Sequence, residues 1–521
     1  MNSRLILRIA TFVLAIFFLA GCSQRSVFNS TVSPTKNPLV ALYSVTPPRP
    51  GSVSIQFGLD TNYGLVTSSQ TASDVNVPVS IFVAGMRPST TYHMRAVLSL
   101  VGGTKITDSD HLFTTGSLSG TLPQISVSTP STQPPQPGIE MLNLTGPLQA
   151  VATDLTGNII WTYTYPESVT SDQIQPVKLL PNGHFLVQIG PTSSFPVTSP
   201  PAPGTITVLR EVDLAGNTIQ ELSLAALNSR LAAAGFNLTA DAMHHDVAIL
   251  PNGHLLLIVN STRQFSNLAG FPGTTTVLGD QIVDLDPDWN PDWVWDSFDH
   301  LDINRHPMNF PDWTHANAVI YSPDDGNIIV SMRHQNWLVK INYDDGHGDG
   351  SVLWRLGEGG DFTLHGGVDP TDWFWAQHAP SFASLDTSGN FSLAVFDDGN
   401  DRQFPPGTVC GPPQPGVCNS ACTCFSTGEV LHLDESAKTA TLAVKDVPNL
   451  YSFFGGNAEI LANGDLEYDL CSASPSPSAS GATVLEVNEQ GQRQIIWQMN
   501  IQGAFAYRAL RMPSLYPGVQ W

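Results

Sequence analysis

The chain is short of charge, and shortest of positive charge. Of its 521 residues 13% are charged, with 22 Lys and Arg against 45 Asp and Glu and a formal net charge of −23. That balance argues against nucleic acid and anionic lipid as partners, because like charges repel. If a substrate is anionic, local cations must overcome the general repulsion, so their positions are informative. Also missing are the G-x-S-x-G, H-E-x-x-H, P-loop and G-x-G-x-x-G patterns that carry common hydrolase, zincin and nucleotide chemistry. The Gly-rich stretch 346–350 is a hairpin turn.

Glycine and proline are plentiful, at 43 and 40 residues, a composition of many short strands and turns rather than helices. At the N-terminus Arg4 and Arg8 flank the start of an apolar run, residues 9–18, too short to anchor across a bilayer. It leads into Leu19-Ala20-Gly21-Cys22, which resembles a bacterial lipobox. Residues 1–21 therefore read as a lipoprotein signal peptide, with Cys22 the site of lipid attachment. The expected location is the cell envelope, outside the cytoplasm, facing the periplasm or in the outer membrane if the cell has one. Five other cysteines remain, Cys410, Cys418, Cys422, Cys424 and Cys471. In an oxidising compartment disulfides are the default, with the pairing open and one thiol left over. Their spacings match no familiar zinc pattern.

Residues 22–37 are Ser/Thr/Asn-rich and read as a flexible tether. Short alternating strands over 38–117, with Gly85-Met-Arg-Pro-Ser-Thr-Thr-Tyr92 before the last long one, resemble a fibronectin-III/Ig-like β-sandwich with a tyrosine corner. Such a domain serves as a spacer or as a dimerisation surface, so a homodimer is allowed. Residues 118–138 read as a Pro-rich linker.

A repeat fills the rest, residues 139–521. Its units are LLPNGHFLVQI, ILPNGHLLLIV, YSPDDGNIIVSM, LDTSGNFSLAVF and ILANGDLEYDL, each a strand, a tight turn ending in glycine, and a strand. Each continues into two further strands, the four-stranded pattern of a propeller blade. Residues 150–161 supply the outer strands of one more unit, which the C-terminal 507–513 closes. The expectation is an all-β, six-bladed propeller.

In a propeller the first strand of each blade lines the central channel, and the residue before it sits at the channel mouth. His244 lies nine residues before the turn glycine Gly253, while His315 and His378 each lie eleven before Gly326 and Gly389. Three consecutive blades thus bring a histidine to one rim. Arg333 closes the second strand of the His315 blade and returns to the same rim, a trap for an oxyanion. A fixed cation there also opposes a three-histidine metal site, so no metal is expected. Asn317 adds a donor, and Trp313, Trp373 and Trp375 are candidates either for an aromatic wall against a ring-bearing substrate or for packing of the loops.

The combination of HHD before LPNGH, His315-Ala-Asn317 with Ser331-Met-Arg-His-Gln335, QHAP…VFDDGNDR around His378, and the closing YRALRMPSLYP closely resembles bacterial arylsulfate sulfotransferases. The resemblance implies transfer of a sulfuryl group from a phenolic sulfate to a phenol, without a nucleotide sulfate donor and with no cofactor. It implies that His378 becomes transiently sulfated, that His315 and Arg333 hold the sulfonate oxygens, and that His244 or the adjacent His245 is the acid/base. The cysteine-rich stretch 410–424 and the long Pro-rich segments depart from that family. Two rival readings are a non-catalytic propeller that binds a ligand or partner, and a metal-dependent propeller lyase or hydrolase.

Overall fold

The computed structural model describes residues 28–120, 122–144, 150–166, 172–191, 207–308, 310–385, 388–404, 407–410, 424–473, 480–488 and 493–521. The expected signal peptide, Cys22, Cys418 and Cys422 lie outside the described residues.

Apolar runs of strand length are joined by tight turns whose glycines take left-handed backbone, φ 86° at Gly183 and 88° at Gly253, which other residues adopt only under strain. The result is an all-β protein. Its first sheet comprises Asp172–Leu179, Phe185–Pro191, Val208–Val212 and Thr218–Ser223, paired antiparallel in chain order. The second (Ala242–Ile249 to Pro291–Asp296) and third (Ala316–Ser322 to Val352–Leu356) repeat that order. The fourth runs from His378–Ser384 outward to Thr439–Asp446, with Thr363–His365 added parallel at its edge. The fifth starts at Ala458–Ile460 and ends at Gln494–Gln502.

A sixth sheet joins distant parts of the chain. Its innermost strand, Ala506–Met512, pairs with Ile139–Leu144, followed by Ala150–Asp154 and Ile159–Tyr163. It touches the fifth sheet through the first of these strands and the first sheet through the second, so the sheets close on one another as a β-propeller. Buried side chains fill the spaces between neighbouring sheets, for example Ile258, Ile282, Val319 and Val330 between the second and third.

Two expectations from composition are corrected here. Gln124–Ser128, placed in the linker, is an edge strand of the fifth sheet, where Ile125 and Val127 pack on its apolar face. Asn29–Pro34, placed in the tether, pairs with Ala41–Thr46. In Gln124–Ser128 the alternation of Ile125 and Val127 outweighs a Ser/Pro-rich composition, whereas Asn29–Pro34 is held by its pairing with Ala41–Thr46. Two further sheets over 29–114 enclose a separate core around Tyr43, Ile55, Phe57 and Met94. There the Tyr92 hydroxyl accepts the Arg87 N–H at 3.0 Å, as a tyrosine corner requires. This unit docks on the propeller through Tyr516, whose hydroxyl accepts from Ala84 N at 2.7 Å and donates to Phe82 O at 2.9 Å.

Candidate active site

The innermost strands of the first four sheets share a local irregularity near their beginnings. Register slips between Ile174 and Val177, Met243 and Val247, Ala316 and Ala318, and His378 and Ser381. Extra residues at a bulge turn side chains out of the sheet's alternation. His245 and His315 take left-handed backbone at these points, φ 60° and 48°. The histidines expected at one rim are thereby gathered into a continuous cluster.

The His245 and His315 rings meet edge to face, centroids 4.9 Å apart, and His315 stacks on His334 at 4.4 Å. His334 Nε2 lies 3.0 Å from a guanidinium nitrogen of Arg333. Arg333 in turn faces Asp398 Oδ2 at 3.4 Å through two of its nitrogens, and His378 Nδ1 lies 2.9 Å from that same oxygen. His378, His315 and Arg333 therefore converge. Asn317 is fully buried behind them, its amide donating to Gln377 O at 2.7 Å while its Oδ1 has no protein partner.

Of the two adjacent histidines, His245 is the one turned inward. Its ring faces His315 and, at 5.8 Å, Tyr507. His244 stands one step back, with Nδ1 2.7 Å from His245 Nδ1. His244 Nε2 is 3.0 Å from Asp280 Oδ1, an ion-pair distance outside hydrogen-bond alignment.

Hydrogen bonding fixes several tautomers. A carbonyl oxygen only accepts, so the 2.7 Å contact between His334 Nδ1 and Asp312 O puts the proton on Nδ1. Nε2 is then the acceptor from Arg333. The same logic applies to His378. Its Nε2 receives the Gly455 N–H at 3.4 Å, so Nδ1 carries the proton toward Asp398 and Nε2 keeps its lone pair. His315 Nδ1 pairs with Asp312 Oδ2 at 2.7 Å.

The electrostatics favour neutral imidazoles beside fixed cations. Burial, then the Arg333 and Arg508 charges, hold His378 well below the ordinary imidazole range. Desolvation and the neighbouring His244, His315 and His378 do the same to His245. His334 is lowered to about 3 by burial and by His315. Burial lifts Asp398 well above the usual carboxylate range, with Arg333 pulling it back and Asp397 pushing it further up. Asp312 is desolvated too, but His315 and His334 outweigh that and bring it to about 2.

The VFDDGNDR segment divides the labour between its aspartates. Asp397 is bound by the fully buried Arg402 and accepts Trp375 N at 2.8 Å and Thr427 Oγ1 at 3.0 Å. Arg402 also donates to Thr371 O at 2.8 Å and Trp373 O at 3.2 Å, which locks the loop entering the His378 strand. Asp398 is left to face His378 and Arg333.

Of the two roles open to the tryptophans, the structure shows loop packing. Trp313, Trp373 and Trp375 do not form an open wall but are buried to within 1%. Trp313 stacks on Phe298 and donates to Arg305 O, and Trp375 donates to Pro370 O at 3.2 Å. Large indoles with a carbonyl in reach anchor these loops. The aromatic ring that faces the histidines is Tyr507, 6.2 Å from the His378 ring. Beside it Arg508 packs on the Tyr507 ring, bonds Gly456 O, and donates to Asn317 O at 2.8 Å. Tyr507, Arg508, Asp398 and His334 all lie within motifs visible in the sequence, and Asp312 stands three residues before one, yet only this packing gives them partners.

A metal reading meets a specific obstacle. Asp312, His315 and His334 have potential ligand atoms within 4.8 Å of one another. The His334 nitrogen on that side is the protonated one, and its other nitrogen faces Arg333. Neither offers a lone pair without breaking a bond already made. A second group, His254, Asp284 and Asp292, lies at a blade turn where His254 is bonded to Asp284 at 3.0 Å.

No curated protein matches the chain. The family model described as Arylsulfotransferase (ASST) does, over residues 125–508, which among the described residues covers the propeller sheets apart from Gln124 and the end of the strand Ala506–Met512. With most of its length matched, and with histidines and arginines gathered in the matched part, the chain belongs to the arylsulfotransferase family.

Proposed function

We propose that the protein moves a sulfuryl group from a phenolic sulfate ester to a phenol in two half-reactions through a sulfo-histidine at His378. The observation that carries this reading is the state of His378. Nδ1–H is directed to Asp398, whose Oδ2 also faces Arg333, and Nε2 is unprotonated with only the long 3.4 Å contact from Gly455 N–H, in a site that disfavours imidazolium. A neutral, oriented imidazole is a competent nucleophile near neutral pH.

In the first half-reaction the Nε2 lone pair forms a bond to sulfur as the sulfur–aryl oxygen bond breaks. The electron pair leaves with the phenolate, which takes an extra proton carried by the His244–His245 pair on the His244 side, beside the Asp280 carboxylate. In the second, an acceptor phenol returns its proton to that pair and its oxygen takes the sulfur. The N–S electrons go back to Nε2, and no oxidant or reductant is needed. Sulfuryl transfer resembles phosphoryl transfer, with charge spread over three equatorial oxygens, so positioned donors supply most of the help. Arg333 and His315 are assigned to those oxygens, with Asn317 supporting from behind. Asp398 orients His378 and steadies the positive charge that develops on it.

The site belongs, on this reading, to an extracytoplasmic lipoprotein lipidated at Cys22, which loss of metabolic palmitate labelling in Cys22→Ser would test. The activity is tested by exchange between p-nitrophenyl sulfate and phenol. Phenol-dependent release of p-nitrophenol supports a transferase, release into water alone points to a sulfatase, and no release favours a binding propeller. Loss of turnover in chelator would reinstate the metal-dependent alternative.

A further inference from the structure

Beside the reacting histidines is an aromatic patch with no role in the chemistry above. Phe453 is 51% exposed, unusual for so large an apolar side chain. Its ring packs on Phe454 with centroids 4.9 Å apart, and Phe454 meets Phe505 edge to face at 5.5 Å. Phe454 and Phe505 are each partly exposed.

This patch is tied to the site by backbone on both sides. The Phe453 carbonyl accepts from Arg333 at 2.9 Å, and two residues later the Gly455 N–H reaches His378 Nε2. Phe505 precedes Tyr507, whose ring faces His378, by two residues. Three rings thus form a ledge next to the atoms that would grip a sulfuryl group. Trp313, Trp373 and Trp375 are spent on loop packing, whereas this ledge is an accessible aromatic surface adjoining the cluster.

We infer that Phe453, Phe454 and Phe505 form the seat for the uncharged aryl ring, taken in turn by the donor ester and the acceptor phenol. The inference rests on the two-step transfer proposed above, in which donor and acceptor occupy one place at different times. Ring-on-ring contact stabilises by edge-to-face or offset stacking in addition to area burial. A flat aromatic partner is favoured over an alkyl one of similar size.

The test uses the full-length protein and the variants Phe453→Ala, Phe505→Ala and Phe453→Trp. Replacing the exposed Phe453 side chain leaves its carbonyl on Arg333, so the ring alone is removed. With 2-naphthyl sulfate as donor and 2-naphthol as acceptor, both KM values should rise about tenfold in each alanine variant while kcat changes little. Phe453→Trp should restore both. Unchanged KM values, or a rise confined to one of the two substrates, would overturn the shared seat. A second measurement separates this idea from the transfer reading: calorimetric binding of 2-naphthyl sulfate at a temperature where turnover is negligible. Weaker binding in the alanine variants supports the seat even if the unaltered protein transfers nothing, and equal binding sinks it even if transfer is efficient.

Discussion

Asp398 Oδ2 is shared: it lies 2.9 Å from His378 Nδ1 and 3.4 Å from two nitrogens of Arg333. One carboxylate oxygen thus orients the proposed nucleophile and also holds the cation that would receive the sulfuryl oxygens. Asp398→Asn keeps the shape but can present an N–H to Nδ1, favouring the tautomer that protonates Nε2. A fall in kcat of roughly 10⁴-fold is expected, as when the orienting carboxylate of a catalytic histidine is replaced by an amide. Steady-state exchange from p-nitrophenyl sulfate to phenol measures it, and turnover within tenfold of the unaltered protein would refute the shared role.

His378→Asn should abolish transfer without unfolding the propeller. An acid-labile sulfo-enzyme should form from labelled donor in the unaltered protein and be missing from this variant. Label retained on the variant would move the nucleophile elsewhere.

Arg333→Ala should lower kcat by about 10²-fold or more, the scale of a lost oxyanion donor. Arg333→Lys should recover only part of this, because an ammonium lacks the planar fork that reaches Asp398 and a substrate oxygen together. Equal activity of the lysine variant would show that charge alone matters.

Much of this arrangement is legible in the chain. Turn glycines at regular places reveal the blades, and counting back from them finds His315, His378 and the returning Arg333. The same count cannot separate His244 from His245, because the bulge between Met243 and Val247 inserts extra residues into one strand only. Asp398, Asp312, Tyr507 and Arg508 gain their meaning from partners far away in sequence, such as Arg508 with Asn317 across two sheets. Periodicity is silent about such pairings. Nor does the composition around Trp313 and Trp375 tell a wall from an anchor, since an indole suits both.

The pH dependence follows from burial. His378 and His245 are held below the ordinary imidazole range, so the acid limb of kcat/KM due to the nucleophile should fall below pH ~6.5. An acid limb at or above that value would argue against a neutral His378 in the resting site.

Stability should show the opposite trend at the seam between the fifth and sixth sheets. There Asp469 is fully buried, both its oxygens lack protein partners, and burial with the nearby Glu140 raises its carboxyl well above the usual range. A raised folded value means its contribution is complete below the unfolded value near ~3.8 and is lost as pH rises toward the folded one. Asp469→Asn cannot ionise, so its Tm should gain on that of the unaltered protein as pH increases from 4 to 8. A constant or shrinking difference would show that Asp469 is compensated in the fold.

The cysteine-rich stretch also bears on the site. The Cys410–Cys424 disulfide packs against Tyr451, whose hydroxyl bonds Asn400, and Asn400 in turn holds the Phe453 carbonyl at 2.9 Å. Cys410→Ser should cost about 2–3 kcal/mol, as expected for a loop of 14 residues. It should also raise KM through the loosened Phe453. Unaltered melting and kinetics would make the bridge incidental.

The strand Ala506–Met512 pairs with Ile139–Leu144 and carries Tyr507 and Arg508 to the histidines. A growing polypeptide therefore carries His378 long before it carries the residues that complete the cluster around it. Tyr507 and Arg508 reach His378 and Asn317 only once this strand has paired with Ile139–Leu144.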